Sequence, residues 1–357
     1  MAKRFGDWEV VRDLMSGGQA WTYLVRSTRQ GSGHVFVLKR LKNTANRTRV
    51  QRFQREIKVG WQLSHPNILK VLDYKLDDNH PFFVAEYCTG GTLADAELGG
   101  FSIVDKLRIF ATICRAMGYA HSNGVIHRDL KPDNIFLKLE PLSPVIGDFG
   151  LCLMAGNEET RLTATPEAVG SRWYMAPELE DGRLEDAKPS ADVYSLGKIL
   201  YWLMAGRIFS REKHREPQYD LTKVITDSAV FLIYELLDAS IVSNPASRQY
   251  KDGNELANAV ENVRRRIQMS ANPVGWNLPQ LCRYCGVGNY KKLYSNFPGF
   301  NSETANDAFS VLGIELINPD VVYGKKWLFL VCDHCGNVQV FRADRSKEPK
   351  IWEERKG

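Results

Sequence analysis

Short apolar runs broken by polar turns fill the first part of the chain. Trp8 to Val25 reads as two strands around the small-residue turn Ser16-Gly17-Gly18-Gln19-Ala20. Val35 to Leu41 alternates with a period of two, which puts Val35, Val37, Lys39 and Leu41 on one face. Phe82 to Cys88 is a further strand, leading into Thr89-Gly90-Gly91-Thr92-Leu93. Between these the period lengthens to about 3.6 residues. Phe53, Ile57, Gly60-Trp61 and Ser64 trace a helical stripe, which His65-Pro66 ends. Ile103 to Asn123 is helical by the same period, contains no proline and stops at Gly124. Two apolar runs, Gly124-Val125-Ile126 and Ile135-Phe136-Leu137, then enclose the polar stretch His127–Asn134. Pro144-Val145-Ile146 reads as a strand, and Leu151 to Trp173 as a polar, mobile segment rich in Thr, Glu and Ala. A basic helix ends in Arg264-Arg265-Arg266, and Ser270 to Pro279, with two prolines and a glycine, reads as a linker.

Four features of this pattern carry chemistry. His127–Asn134 sets two carboxylates, two cations, an amide and a proline between rigid flanks, where catalytic groups concentrate; the plainer reading is a capped surface turn. Lys39 on an apolar face needs a partner, because burying an unpaired ammonium is costly; an edge-strand lysine reaching water is the alternative. Asp148 directly follows an apolar strand, so its carboxylate needs a cation. The Gly17-Gly18 turn lets backbone N–H groups approach phosphate oxygens, because no Cβ intervenes.

The chain has 357 residues, enough for a large domain and a small one. Hydrophobic residues make up 44% and charged residues 25%, which excludes wholesale disorder. The net charge of +5 permits phosphate-bearing partners without demanding nucleic acid. No apolar run reaches the roughly 18 residues of a membrane span. The N-terminus Met1–Asp7 lacks the apolar core of a secretory signal, and we expect a cytoplasmic protein with no membrane partner.

His127-Arg128-Asp129-Leu130-Lys131-Pro132-Asp133-Asn134 resembles the catalytic loop of the eukaryotic-type protein kinases at every defined position, and Lys131 resembles the serine/threonine branch. Asp148-Phe149-Gly150 and Ala176-Pro177-Glu178 are similar to two further family motifs. The resemblance runs from about Trp8 to about Gln268 and implies a kinase that transfers the γ-phosphate of ATP to serine or threonine hydroxyls of proteins, its own included. It implies that Asp129 accepts the hydroxyl proton, Lys131 faces the phosphate, and Asn134 and Asp148 hold Mg²⁺ or Mn²⁺. By the same resemblance Lys39 would grip the α- and β-phosphates with Glu56 as its partner. Gly17 and Gly18 belong to the phosphate lid, although Met15, Ala20 and Thr22 depart from the family pattern there. Ala85, Glu86 and Cys88 line the adenine site, and the small Ala85 implies a cavity behind the adenine and sensitivity to bulky ATP-site inhibitors. Glu178 pairs with an arginine in Asn244–Arg248, and Asp192 braces the catalytic loop. Arg128 awaits an anion from the segment ending in Gly170, where Glu167 stands at the usual phosphosite and Thr160, Thr163 and Thr165 precede it; Ser171 lies near Asp129 and Lys131.

Beyond the linker, Cys282-Arg283-Tyr284-Cys285-Gly286 and Cys332-Asp333-His334-Cys335-Gly336 are two Cys-x-x-Cys-Gly knuckles. Four thiolates of this spacing suit a closed structural Zn²⁺ site better than an iron–sulfur cluster or a redox pair. An odd total of 7 cysteines also suits reduced thiols and a metal rather than disulfides. Phe329 and Val331 before the second knuckle, and Val338 and Val340 after it, alternate like strands of a zinc ribbon; Asn301–Leu316 in the long insertion reads as a helix. Aromatic residues and the pairs Lys291-Lys292 and Lys325-Lys326 permit a protein or a nucleic-acid partner.

The expected fold is therefore α+β: a bilobal kinase domain over 1–269, with its N-lobe at 1–87 and C-lobe at 88–269. A linker follows at 270–279, a zinc-ribbon-like domain with a helical insertion at 280–345, and a polar tail at 346–357. Dimerisation is left open. A kinase-shaped scaffold acting through the zinc module is the competing reading. A small-molecule phosphotransferase is disfavoured by Gly170–Glu178, which resembles a peptide seat.

Overall fold

Six strands build one antiparallel sheet in the order β1-β2-β3-β4-β6-β5. They are β1 (Arg4–Phe5), β2 (Trp8–Asp13), β3 (Ala20–Ser27), β4 (Phe36–Leu41), β5 (Val71–Lys75) and β6 (Phe82–Glu86). The computed structural model describes residues 3–14, 19–29, 33–76, 80–139, 142–154, 171–180, 187–225, 229–271, 290–293, 326–332 and 338–343. These fall in two units, Met1–Arg264 and Arg265–Gly357.

β4 and β6 lie inside the sheet, with both edges paired, and apolar clusters form on both of their faces. Leu38, Phe82 and Val84 pack with Trp8, Tyr23 and Val25 on one side. On the other, Leu41, Phe83 and Ala85 pack with Phe53 and Ile57 of helix α1 (Arg47–Gln62). Lys39 shares this second face, as alternation predicts. Helix α1 starts where the Asn46 side chain accepts from Arg49 N–H at 3.0 Å, and Leu63 closes it by donating to Val59 O.

The helical stripe differs from the sequence expectation at two positions: Ser64 lies beyond the end of α1 and is exposed, and Trp61 leaves the core. Trp61 is 48% exposed and meets the Tyr74 ring edge-on at 5.2 Å, rather than lying in the core. The contact face runs through Gly60, where a Cβ would stand 2.6 Å from Val71 Cγ2. The close approach of α1 to β5 leaves no room for a ring.

The second lobe is mainly helical. Helix α2 (Ile103–Ser122) is capped by Ser102, and Gly124 follows it with φ +72. The polar loop lies between β7 (Val125–Ile126) and β8 (Ile135–Leu139), and β8 forms a hairpin with β9 (Leu142–Ile146). The segment expected to be wholly mobile begins in order: β10 (Leu153–Met154) pairs with β7. Helices α3 (Pro177–Glu180), α4 (Pro189–Ala205), α5 (Ala229–Ser240) and α6 (Gly253–Ala271) complete the sequence of helices in the described residues. In α4, 14 of 17 residues are buried, so this helix is enclosed nearly all round. The lobes meet at β9, where Ile146 N–H donates to Asn67 O and Leu69 N–H donates to Ile146 O. No helix of the described residues is long and apolar enough to cross a membrane.

In the second unit, β11 (Tyr290–Leu293), β12 (Lys326–Cys332) and β13 (Val338–Ala343) form a three-stranded antiparallel sheet. Its register pairs Phe329 with Val340, Val331 with Val338, and Cys332 with Tyr290.

Candidate active site

The polar loop is held from beneath by one carboxylate. Asp192 of α4 is fully buried, and its oxygens accept from the backbone N–H groups of His127 at 2.8 Å and Arg128 at 2.9 Å. His121 of α2 supplies a third contact at 2.9 Å. Gly253 N–H donates to His121 Nδ1, so the ring proton sits on Nε2 and is given to Asp192. Burial by itself would raise the Asp192 carboxyl; the hydrogen bond from His121, with the one from the His127 backbone N–H, holds it below the usual range. Arg128 takes φ +66, a left-handed conformation that a non-glycine residue keeps only when held.

His127 joins the loop to the next strand end. Its Nδ1 accepts from Asp129 N–H, its Nε2 donates to Gly147 O at 3.0 Å, and its ring lies 4.6 Å from that of Phe149. Above it, Asn134 Nδ2 donates to Asp129 O at 2.7 Å and Asp129 Oδ2 at 3.1 Å. Lys131 Nζ lies 3.4 Å from the same carboxylate oxygen. These bonds occupy the Asn134 nitrogen, and its Oδ1 accepts no hydrogen bond among the described residues.

Asp148 also has left-handed backbone, φ +58, which swings its carboxylate toward the first lobe. There Lys39 Nζ is bonded to both Glu56 oxygens at 2.8 and 2.9 Å and stands 3.9 Å from Asp148. Lys39 tends to lose its proton through burial, yet Glu56 and Asp148 together hold it well above the ordinary lysine range. The charge of Lys39 in turn lowers the Asp148 carboxyl. Phe149 and Gly150 run beneath α1, where a Cβ on Gly150 would touch Arg52 O at 3.5 Å. The helix that supplies Glu56 thus rests on the segment that supplies Asp148.

The structure therefore gathers Lys39, Glu56, Asp129, Lys131, Asn134 and Asp148 around one space. Ala85 is fully buried, with Val37 and Val71 as its neighbours on the adjacent strands. The Glu86 side chain turns outward to Lys138 at 2.7 Å, and burial raises the Cys88 thiol to about 11. Glu178 pairs with Arg248 at 2.5 and 2.8 Å, as the sequence implies. Arg128 Nε donates to Leu151 O. Gly17, Gly18, Thr160, Thr163, Thr165, Glu167, Cys282, Cys285 and Cys335 lie outside the described residues, as does the Ser171 side chain. Cys332 closes β12, and its side chain is likewise outside them.

Sequence reasoning missed His121, Arg52 and Arg55. Arg52, one turn before Glu56, has Asp129 and Asp148 in electrostatic range. Arg55 and Arg128 both bear on the buried Cys152 thiol, and Arg55 Nη1 is buried without a hydrogen-bond partner among the described residues. The available signal was the run of basic residues Arg47, Arg49, Arg52 and Arg55 on a single helix.

A strand lysine paired to a helix glutamate, facing a braced Asp-Lys-Asn loop and a second aspartate, defines a protein kinase domain. The family model for the protein kinase domain matches residues 8–264, and the chain belongs to that family. It is 30% identical over 256 residues to a cell cycle serine/threonine-protein kinase of Saccharomyces cerevisiae, covering 67% of this chain and 35% of that protein. It is 31% identical over 206 residues to the serine/threonine-protein kinase PrkC of Bacillus subtilis, covering 57% and 31%. It is also similar to calcium/calmodulin-dependent protein kinase type 1B of Homo sapiens, at 34% over 204 residues, covering 55% and 56%. The matched stretch thus spans less than two thirds of each of these relatives.

Proposed function

We propose that the chain is an ATP-dependent serine/threonine protein kinase that also phosphorylates itself. The observation that carries this reading is the closed Lys39–Glu56 pair facing Asp129, Lys131, Asn134 and Asp148. Transfer needs positioning and charge neutralisation more than covalent chemistry. Lys39 orients the nucleotide phosphates, Asp129 accepts the proton of the substrate hydroxyl, and Lys131 offsets charge on the transferred group. The Asn134 Oδ1, which accepts no hydrogen bond among the described residues, and the half-exposed Asp148 carboxylate are hard oxygen donors that fit Mg²⁺. When bound there, the ion neutralises charge on the phosphates. The retained Lys39, Asp129, Asn134 and Asp148 disfavour a scaffold without activity. Transfer of labelled phosphate to the protein itself and to a generic protein substrate, with Asp129→Asn as control, tests the reading; no transfer by the wild type would overturn it.

The Lys39–Glu56 pair makes ATP binding sensitive to pH. Burial pushes the Glu56 carboxyl up to about 7, against the pull of Lys39. Above that pH Glu56 is charged and fixes Lys39; below it, protonation releases the lysine. KM for ATP is expected to rise as pH falls through this value, by up to about tenfold per unit. Glu56→Gln should raise KM throughout and flatten that limb. An unchanged limb in the variant would refute the assignment.

Regulation follows from Arg128. We infer that Glu167 supplies it with a carboxylate and that phosphates on Thr160, Thr163 or Thr165 add to this, with Ser171 near the substrate. The Nη1 of Arg55, which has no hydrogen-bond partner among the described residues, supports a second cation for such an anion. A Thr160/Thr163/Thr165 triple alanine variant should keep basal activity, and complete loss would remove the role of Glu167.

For the C-terminal region we propose, after a linker at 270–279, a zinc-binding ribbon over 280–345 that recognises a protein or nucleic-acid partner. Its support is the three-stranded sheet and the pairing of Cys332 with Tyr290, just beyond the first knuckle. Purified protein should contain about one Zn²⁺ per chain, lost in Cys282→Ser/Cys335→Ser. Metal analysis finding none would exclude it.

A further inference from the structure

Helix α4 carries one charged side chain that the kinase reading does not use. Lys198 is fully buried, and its Nζ donates to Phe209 O at 2.5 Å and Arg211 O at 2.9 Å while lying 3.6 Å from the Phe209 ring centre. The loop so held has an unusual backbone, since Arg211 sits at φ +55. From that position Arg211 reaches Glu180, the last residue of α3, at 2.7 Å. Two residues earlier Glu178 is held by Arg248. Tyr194, one turn before Lys198 on α4, bridges the two anchors. The Arg248 guanidinium lies 5.2 Å from its ring, and Glu212, Arg211 and Glu180 all bear on its hydroxyl.

We propose that Lys198 is a positioning residue for the protein substrate, because it fixes the loop from which Arg211 holds the far end of the segment 171–180. The proposal rests on the kinase reading of that segment. An apolar residue at 198 would leave two carbonyls without a donor, and the loop would no longer be compelled into the conformation Arg211 requires. The charged groups around the ammonium are Glu180 on α3 and Arg211, Glu212 and His214 on the loop, the last bonded to Asp238 of α5. Burial pushes Lys198 down to about 7 against Glu212 and Glu180. The stronger, charge-assisted grip therefore belongs to the lower pH, and the neutral amine above it holds the carbonyls less firmly.

The test compares Lys198→Met, Arg211→Ala and their combination with the wild type, using a serine peptide and ATP. KM for the peptide should rise about tenfold in Lys198→Met and about threefold in Arg211→Ala, with KM for ATP unchanged. The double variant should match Lys198→Met, because both act through one path. In the wild type, peptide KM should climb as pH rises through the lysine's titration, and this climb should vanish in Lys198→Met. Amide hydrogen exchange across 173–180 should quicken in every variant. Equal rises in both KM values, additive effects in the double variant, or unchanged exchange would each overturn the proposal. If Lys198→Met does not fold, the surface changes Arg211→Ala and Glu180→Gln carry the same comparison. Absence of transfer by the wild type would instead defeat the kinase reading, and exchange would still decide whether Lys198 orders the segment.

Discussion

Asp129→Asn is expected to cut phosphate transfer by about 10³-fold while leaving the fold intact. The replacement has nearly the same shape, so it can still meet the Asn134 amide at the position Asp129 Oδ2 now occupies, 3.1 Å away. What it removes is the proposed acceptor for the hydroxyl proton and the negative charge beside Lys131, 3.4 Å away. Rate should therefore fall through kcat, with KM for ATP little changed, since Lys39 and Glu56 are untouched. Single-turnover transfer and thermal unfolding, measured on the same preparation, separate the two effects. A variant within tenfold of the wild-type rate would show that Asp129 is not the proton acceptor.

The second large effect concerns stability. Asp192→Ala should cost about 3–5 kcal/mol, because it removes the acceptor that three buried donors share. The N–H groups of His127 and Arg128 and the His121 ring would all lose the same partner. Arg128 would then keep its left-handed backbone with one fewer anchor, its Nε bond to Leu151 O remaining. The Asp192 carboxyl is held below its ordinary value, so its contribution is complete above the normal carboxylate pKa and is lost as pH falls through the lower folded value. Wild type should thus lose stability on acidification more steeply than Asp192→Asn. Urea unfolding at neutral and acid pH gives both numbers. A loss below about 1 kcal/mol for Asp192→Ala would mean that water replaces the carboxylate there.

Much of the site was legible because its chemistry is costly to bury. Lys39 on an apolar face and Asp148 at an apolar strand end each demanded an opposite charge, and Glu56 and Lys39 supply them. The period of two on β4 placed Lys39 on an apolar face, and the family resemblance named Glu56 on α1 as its partner. Where a single residue breaks the pattern, sequence reasoning erred. Trp61 extends the apolar stripe on paper, but Gly60 is the residue that meets β5. His121 and Lys198 were missed for a related reason. A histidine near a helix end and a lysine within an apolar helix carry no local sign of their partners, which come from Asp192, Gly253, Phe209 and Arg211 far along the chain.

The enclosure of α4 also bears on how this chain can diverge. A helix with 14 of 17 residues buried tolerates few substitutions, since each must preserve volume and hydrogen bonding together. Helix α1 differs, with several positions facing water around a narrow contact face. Sequence drift, and with it new modes of control, can accumulate on α1 while α4 stays nearly frozen. Two descendants of this chain would therefore be expected to differ first in how they are switched on, and last in how their catalytic loop is held.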